Sequence, residues 1–158
     1  MISGDAEPAG GGITRADGRV AYLSQRLDLL DPERTVLENL VAFAPAMAEA
    51  QRMHLLARFL FRGSRIHLAV GMLSGGERLR ATLACILFAE PAPQLLLLDE
   101  PTNNLDLVSI SQLEGALNAY EGAFIVVSHD ERFLAEVKVG RWLELRDGQL
   151  RDTGPQGD

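Results

Sequence analysis

Two adjacent carboxylates, Asp99 and Glu100, close a run of four leucines and lead into Pro101-Thr-Asn-Asn-Leu-Asp106. The leucines read as a strand buried on both faces, which in an open α/β sheet delivers its last residues to the edge where such sheets keep their chemistry. There Asp99 can hold Mg²⁺, which takes oxygen ligands, keeps several waters and bridges substrate phosphates. Glu100 can orient an attacking water. Neighbouring side chains point to opposite faces within a strand, but where the strand ends the chain bends and both carboxylates can line one cleft. Taken alone, the pair is equally an acidic strand-to-loop junction.

Leu73-Ser-Gly-Gly-Glu77 adds a second phosphate-directed feature. Two glycines let the backbone approach a phosphate closely, the following helix N-terminus supplies N–H groups and positive dipole, and Ser74 adds a hydroxyl donor. The ordinary alternative is a serine-capped helix preceded by a glycine turn. His129 follows the apolar run ending at Val127 and precedes Asp130 at an expected helix start. Gln25 ends Arg19-Val-Ala-Tyr-Leu-Ser-Gln25. A lone histidine or glutamine at a strand end is otherwise structural. The phosphate cradle G-x-x-x-x-G-K-[ST] is missing: the sole lysine is Lys138, and no frame of that motif fits the sequence.

Strands and helices must alternate to position these residues. Residues 19–25 suit a strand. Thr35-Val-Leu-Glu38 has capping-box spacing and starts a short helix through Leu40 and Phe43, and Pro45 separates it from an amphipathic helix over 46–61. Ser74 is the expected N-cap of a helix from Gly75 to about Ala89, which Pro91 and Pro93 stop. A loop after the leucine strand leads to a helix through Ile110, Leu113 and Leu117, then to a buried strand over 123–127. This order predicts an α/β fold with a mostly parallel sheet. Asp147-Gly148 is the turn signal of a closing hairpin.

Composition narrows the function classes. The 158 residues amount to one domain, and 15 basic against 22 acidic residues give a net charge of −7, which argues against a dedicated nucleic-acid surface. Arg52, His54, Arg58, Arg62 and Arg65 cluster locally, with the helical spacing of a solvated face. The single cysteine, Cys85, excludes an internal disulfide and suits a reducing compartment. No apolar stretch approaches the roughly 20 residues of a membrane span, and the first residues lack the features of a secretory signal. A cytoplasmic location without membrane insertion is expected. His54 and His67 stand in no motif.

In order, Gln25, Leu73-Ser-Gly-Gly-Glu77, Leu95-Leu-Leu-Leu-Asp-Glu100, Asn104-Leu-Asp106 and Ser128-His129 resemble the Q-loop, signature, Walker B segment, D-loop and switch histidine of the ATP-binding cassette ATPases. The resemblance runs from Arg19 to Arg151, and the wording Asp-Glu-Pro-Thr-Asn-Asn-Leu-Asp is similar to the ABC-F branch. Those proteins lack membrane domains, carry two cassettes in tandem, and act on ribosomes or in resistance to ribosome-targeting antibiotics. The resemblance implies ATP and Mg²⁺ as ligands and a partial cassette over 1–158. Its parts are a glycine-rich lead-in (1–18), a strand to the Q-loop (19–25), a helical signature region (31–90), a Walker B to switch-histidine core (94–151) and a tail (152–158).

The site residues it implies are Glu100 and His129 in catalysis, and Asp99 and Gln25 at the metal. Gln25, Ser74, Gly75, Gly76, Glu77 and Asp106 would bind the nucleotide. The signature would face ATP held by a second cassette, the implied partner, with the ribosome as a further one. The family places Walker A ahead of the strand to Gln25, where this sequence has no counterpart. The expectation is therefore a truncated cassette or half of a split gene, weak or inactive alone, with residues 95–98 lacking one strand neighbour and exposing an edge. The ATPase subunit of a membrane transporter is one alternative. A non-enzymatic module lending its signature to another cassette is the other.

Overall fold

The apolar runs pair as the strand and helix order predicts. The computed structural model describes residues 10, 12, 14, 20–24 and 26–154. Within these, β1 (Val20–Leu23), β2 (Leu95–Asp99) and β3 (Ala123–Val127) form one parallel sheet in the order β1-β2-β3. Five helices connect and follow them: α1 (Val36–Phe43), α2 (Glu49–Arg58), α3 (Gly75–Leu87), α4 (Leu107–Asn118) and α5 (Glu131–Glu136). The antiparallel hairpin β4 (Leu143–Arg146) and β5 (Gln149–Asp152) turns at Asp147 and Gly148, both at positive φ as a two-residue hairpin turn requires.

Alternation divides the sheet into two unlike faces. Leu23, Leu96 and Leu98 share one core with Leu79, Leu83 and Ile86 of α3 and Leu113 and Leu117 of α4, and Ala21, Phe124 and Val126 pack against it. On the opposite face, register aligns Tyr22, Leu97 and Ile125, and sets Val127 beside Asp99. Ile125 and Val127 are 45% and 56% exposed. The expected buried strand over 123–127 is therefore an edge strand covered on one side only. Its all-apolar sequence reads as buried on both faces, and among the described residues helices cover just one. Nor does β2 lack a neighbour, since β1 and β3 pair along both of its edges. Among the described residues the unpaired edges are the outer sides of β1 and β3.

Local chemistry sets the helix ends. At α1, Glu38 N–H donates to Thr35 Oγ1 at 3.1 Å and Thr35 N–H to Glu38 Oε2 at 2.8 Å, the reciprocal capping box. The second helix is shorter than the expected 46–61, for a reason visible at its end. Phe59 and Phe61 are both buried, and residues two apart cannot share one helix face, so the chain leaves the helix through Leu60 at φ +67°. Arg52 also departs from the expected solvated face. Its guanidinium donates to the carbonyls of Ala44 and Pro45 just past α1, at 3.0 and 2.9 Å.

Cys85 lies fully inside α3, and burial pushes its thiol up to about 12. The thiolate is the reactive form. At pH 8 an alkylating reagent should therefore label Cys85 no faster than the chain unfolds, as mass spectrometry with and without denaturant will show. Ready labelling of the folded chain would contradict the packing of α3.

Candidate functional site

Because the sheet is parallel, the C-terminal ends of its strands meet at one edge, and Asp99 at the end of β2, Glu100 just after it and His129 after β3 gather there. Asp99 is half-buried and its Oδ2 accepts a hydrogen bond from the Tyr22 hydroxyl on β1 at 3.2 Å. At Glu100 the backbone turns into the left-handed region, φ +47°, where a non-glycine residue is strained. Two bonds hold the turn: Glu100 N–H donates to Val127 O at 2.8 Å, and Asn103 N–H to Glu100 O at 3.2 Å. The turn brings Glu100 Oε1 to 3.4 Å from His129 Nε2. Glu100's side chain is 18% exposed and His129's 98%. A partly exposed pair of this kind contributes at most about 1 kcal/mol to stability.

A second group forms where the N-termini of α3 and α4 meet. Ser74 caps α3: Glu77 N–H donates to its Oγ at 3.3 Å, while Ser74 N–H donates to Glu77 Oε2 at 3.0 Å. Glu77 also pairs with Arg65, which sits in a 3₁₀ turn. Gly75 packs toward the Asn104 carbonyl, and Gly76 is buried against Ser109 and Asp106. Asp106 caps α4, accepting from Ser109 N–H at 2.7 Å. The loop 100–106 joins the two groups. Gln25 lies outside the described residues, next to Ser24, whose hydroxyl donates to Asp28 Oδ1 at 2.7 Å.

Hydrogen bonds from the Ser109 amide and hydroxyl, with the nearby Arg80 charge, hold the Asp106 carboxyl below its ordinary 3.8. A depressed carboxyl stabilises the fold above its unfolded pKa and loses that contribution as pH falls through the folded value. Wild type and Asp106→Asn should thus differ in stability at neutral pH and converge below pH 3.8. Acid unfolding followed by circular dichroism, beside an NMR titration of the Asp106 carboxyl, checks this. An upward-shifted carboxyl would contradict the cap.

Among the described residues no group of three or more His, Cys, Asp or Glu could hold a metal. Magnesium shared with substrate phosphates needs only one or two protein carboxylates, and the half-buried oxygens of Asp99 at the sheet edge fit that requirement. Spacing did not single out Tyr22, Arg65 or Ser109, which hold the candidate residues Asp99, Glu77 and Asp106 from 77, 12 and 3 positions away, nor Arg80, which reaches Ser109 across 29. Among these, Ser109 alone had a local signal, three residues after an aspartate N-cap.

A family model described as ABC transporter matches residues 1–103. The chain belongs to the ABC transporter family. Its relatives are ATP-binding proteins. The probable ATP-binding protein YheS of Haemophilus influenzae is 39% identical over 85% of this chain and 21% of its own length. ABC transporter F family member 5 of Arabidopsis thaliana is 37% identical over 96% and 22%, and ATP-binding protein Uup of Escherichia coli 40% over 83% and 21%. The chain thus spans about a fifth of these relatives. In fold it is similar to the ATP-binding cassette MJ0796, in a dimeric post-hydrolysis state bound to ADP and Pi. The TM-score is 0.66 at 23% identity, over 89% of this chain and 64% of that one. As an ABC cassette portion it has the expected α/β architecture, and among its described residues no helix is long and apolar enough to cross a membrane.

Proposed function

We propose that this chain acts in ATP binding and hydrolysis as part of an ABC-F-type, ribosome-associated cassette protein. The observation that carries the reading is the meeting of Glu100 and His129 beside Asp99 at the C-terminal edge of the sheet. In this reading Glu100 accepts the proton of a water attacking the γ-phosphorus, the bond from that phosphorus to the bridging oxygen breaks, and ADP leaves. His129, open to solvent, donates to the γ-phosphate, and Gln25 contacts the same group. Asp99, steadied by the Tyr22 hydroxyl, holds Mg²⁺, which when bound offsets phosphate charge. The ABC-F relatives and the wording of residues 99–106 support the branch.

With no G-x-x-x-x-G-K-[ST] motif, the chain alone lacks the backbone cradle and lysine on which phosphate positioning depends, so it turns ATP over weakly or not at all. Ser74 and Gly75 nonetheless lie exposed at a capped helix start. That favours a second reading, in which residues 74–76 serve a nucleotide held by another cassette.

Phosphate release from Mg-ATP tests both readings: by the 158-residue chain alone, then mixed with a relative's cassette that carries the phosphate loop and a disabled signature. The expected result is near silence alone, turnover on mixing, and its loss with Ser74→Arg. Turnover by the chain alone that Glu100→Gln removes would mean that other groups hold the phosphates. No gain on mixing would sink the lending of the signature.

A further inference from the structure

The junction of α3 and α4 is more tightly built than two caps require. Gly76 is buried, and a β-carbon there would collide with Ser109 Oγ and come within 2.9 Å of Asp106 Oδ2. Ser109 is itself fully buried, and Arg80 Nη1, one helical turn beyond Gly76, donates to its hydroxyl at 2.8 Å. Arg80 Nε is buried with no hydrogen-bond partner, an uncompensated cost in the fold. Buried donors are normally satisfied, and an alanine-like packing of the two helices would avoid this arrangement. What the arrangement gains is a fixed link across 29 residues of sequence, from the helix headed by Ser74 to the first turn of α4, whose cap Asp106 ends the loop from Glu100.

We propose that Arg80 and Ser109 are positioning residues that lock the signature segment 74–76 to the Asp106 loop, so both meet an opposing nucleotide as one unit. This rests on the reading that residues 74–76 face a nucleotide. Neither side chain touches substrate. Arg80 acts through Ser109, and Ser109 acts through Gly76 and Asp106. A shift of about 1 Å in a positioning element can cost about 10²-fold in rate, so a modest loosening of this contact should be measurable.

Two readouts test it. In amide hydrogen exchange on the 158-residue chain, Arg80→Met and Ser109→Ala should each lower protection at the Arg78 amide of α3 and the Ile110 amide of α4 together, by about tenfold. Arg80→Lys, which keeps a donor, should restore most of it, while β2 amides stay unchanged. Loss confined to one helix, or none, overturns the proposal. In the mixed assembly described above, kcat should fall about tenfold with KM for ATP within about twofold of wild type. An unchanged kcat beside lowered protection overturns the positioning role and leaves a purely structural contact. If the wild-type mixture shows no turnover, the functional reading fails, and hydrogen exchange still decides whether the two helices are locked.

Discussion

Glu100→Gln lowers phosphate release by about 10²–10⁴-fold, the range for removing a positioned general base, when this chain is joined to an upstream phosphate loop so that a nucleotide sits beside its own Glu100. The expectation is sharp because the substitution changes one atom at a site whose backbone is held independently. The φ of +47° and the bonds from Glu100 N–H to Val127 and from Asn103 to Glu100 O do not involve the carboxyl. A near-isosteric change on a side chain not in the core should alter stability by no more than about 0.5 kcal/mol, or roughly 2 °C in melting temperature. Stopped-time phosphate assays with differential scanning fluorimetry on the same samples separate loss of chemistry from loss of fold. An unchanged rate would remove Glu100 from the chemistry. A large drop in melting temperature would instead make it a structural residue.

Leu113→Ala should cost about 2–5 kcal/mol of unfolding free energy, the range for deleting a fully buried leucine side chain when its surroundings relax only in part. Leu113 has no solvent exposure and lies on α4 in the core shared with α3 and β2. With a urea m-value of about 1–3 kcal/mol/M, the midpoint should fall by about 1 M or more. Leu145→Ala is the control: at 72% exposed on the hairpin, its loss should stay within about 0.5 kcal/mol. A cost below about 1 kcal/mol at Leu113 would mean that α3 and α4 do not pack as described.

How far the sequence reveals this molecule depends on the range of the interaction concerned. Capping boxes act over three residues, and the starts of α1 and α3 and the Asp147-Gly148 hairpin are where local spacing puts them. The α/β order and the gathering of Asp99, Glu100 and His129 follow from chain order plus parallel pairing. What spacing misread depends on partners distant in sequence. An all-apolar run such as 123–127 cannot report whether one face or both are covered. The C-terminus of α2 required knowing that both Phe59 and Phe61 turn inward. The basic run 52–65 looked like one solvated face because its spacing is helical. In the fold Arg52 instead donates to α1's trailing carbonyls and Arg65 pairs with Glu77, while His54, Arg58, Arg62 and Arg65 stay exposed. Tyr22 reaches Asp99 from 77 residues away, beyond any local pattern.

The left-handed turn at Glu100 has a practical consequence for anyone improving this protein. Glycine adopts that conformation freely, whereas a side chain there costs on the order of 1–3 kcal/mol. A library ranked by heat resistance would therefore enrich Glu100→Gly, and a consensus of its thermostable winners would converge on a chain with the carboxylate erased. Selection for robustness and selection for chemistry pull this single position in opposite directions, so any stabilisation campaign should hold residue 100 constant from the first round.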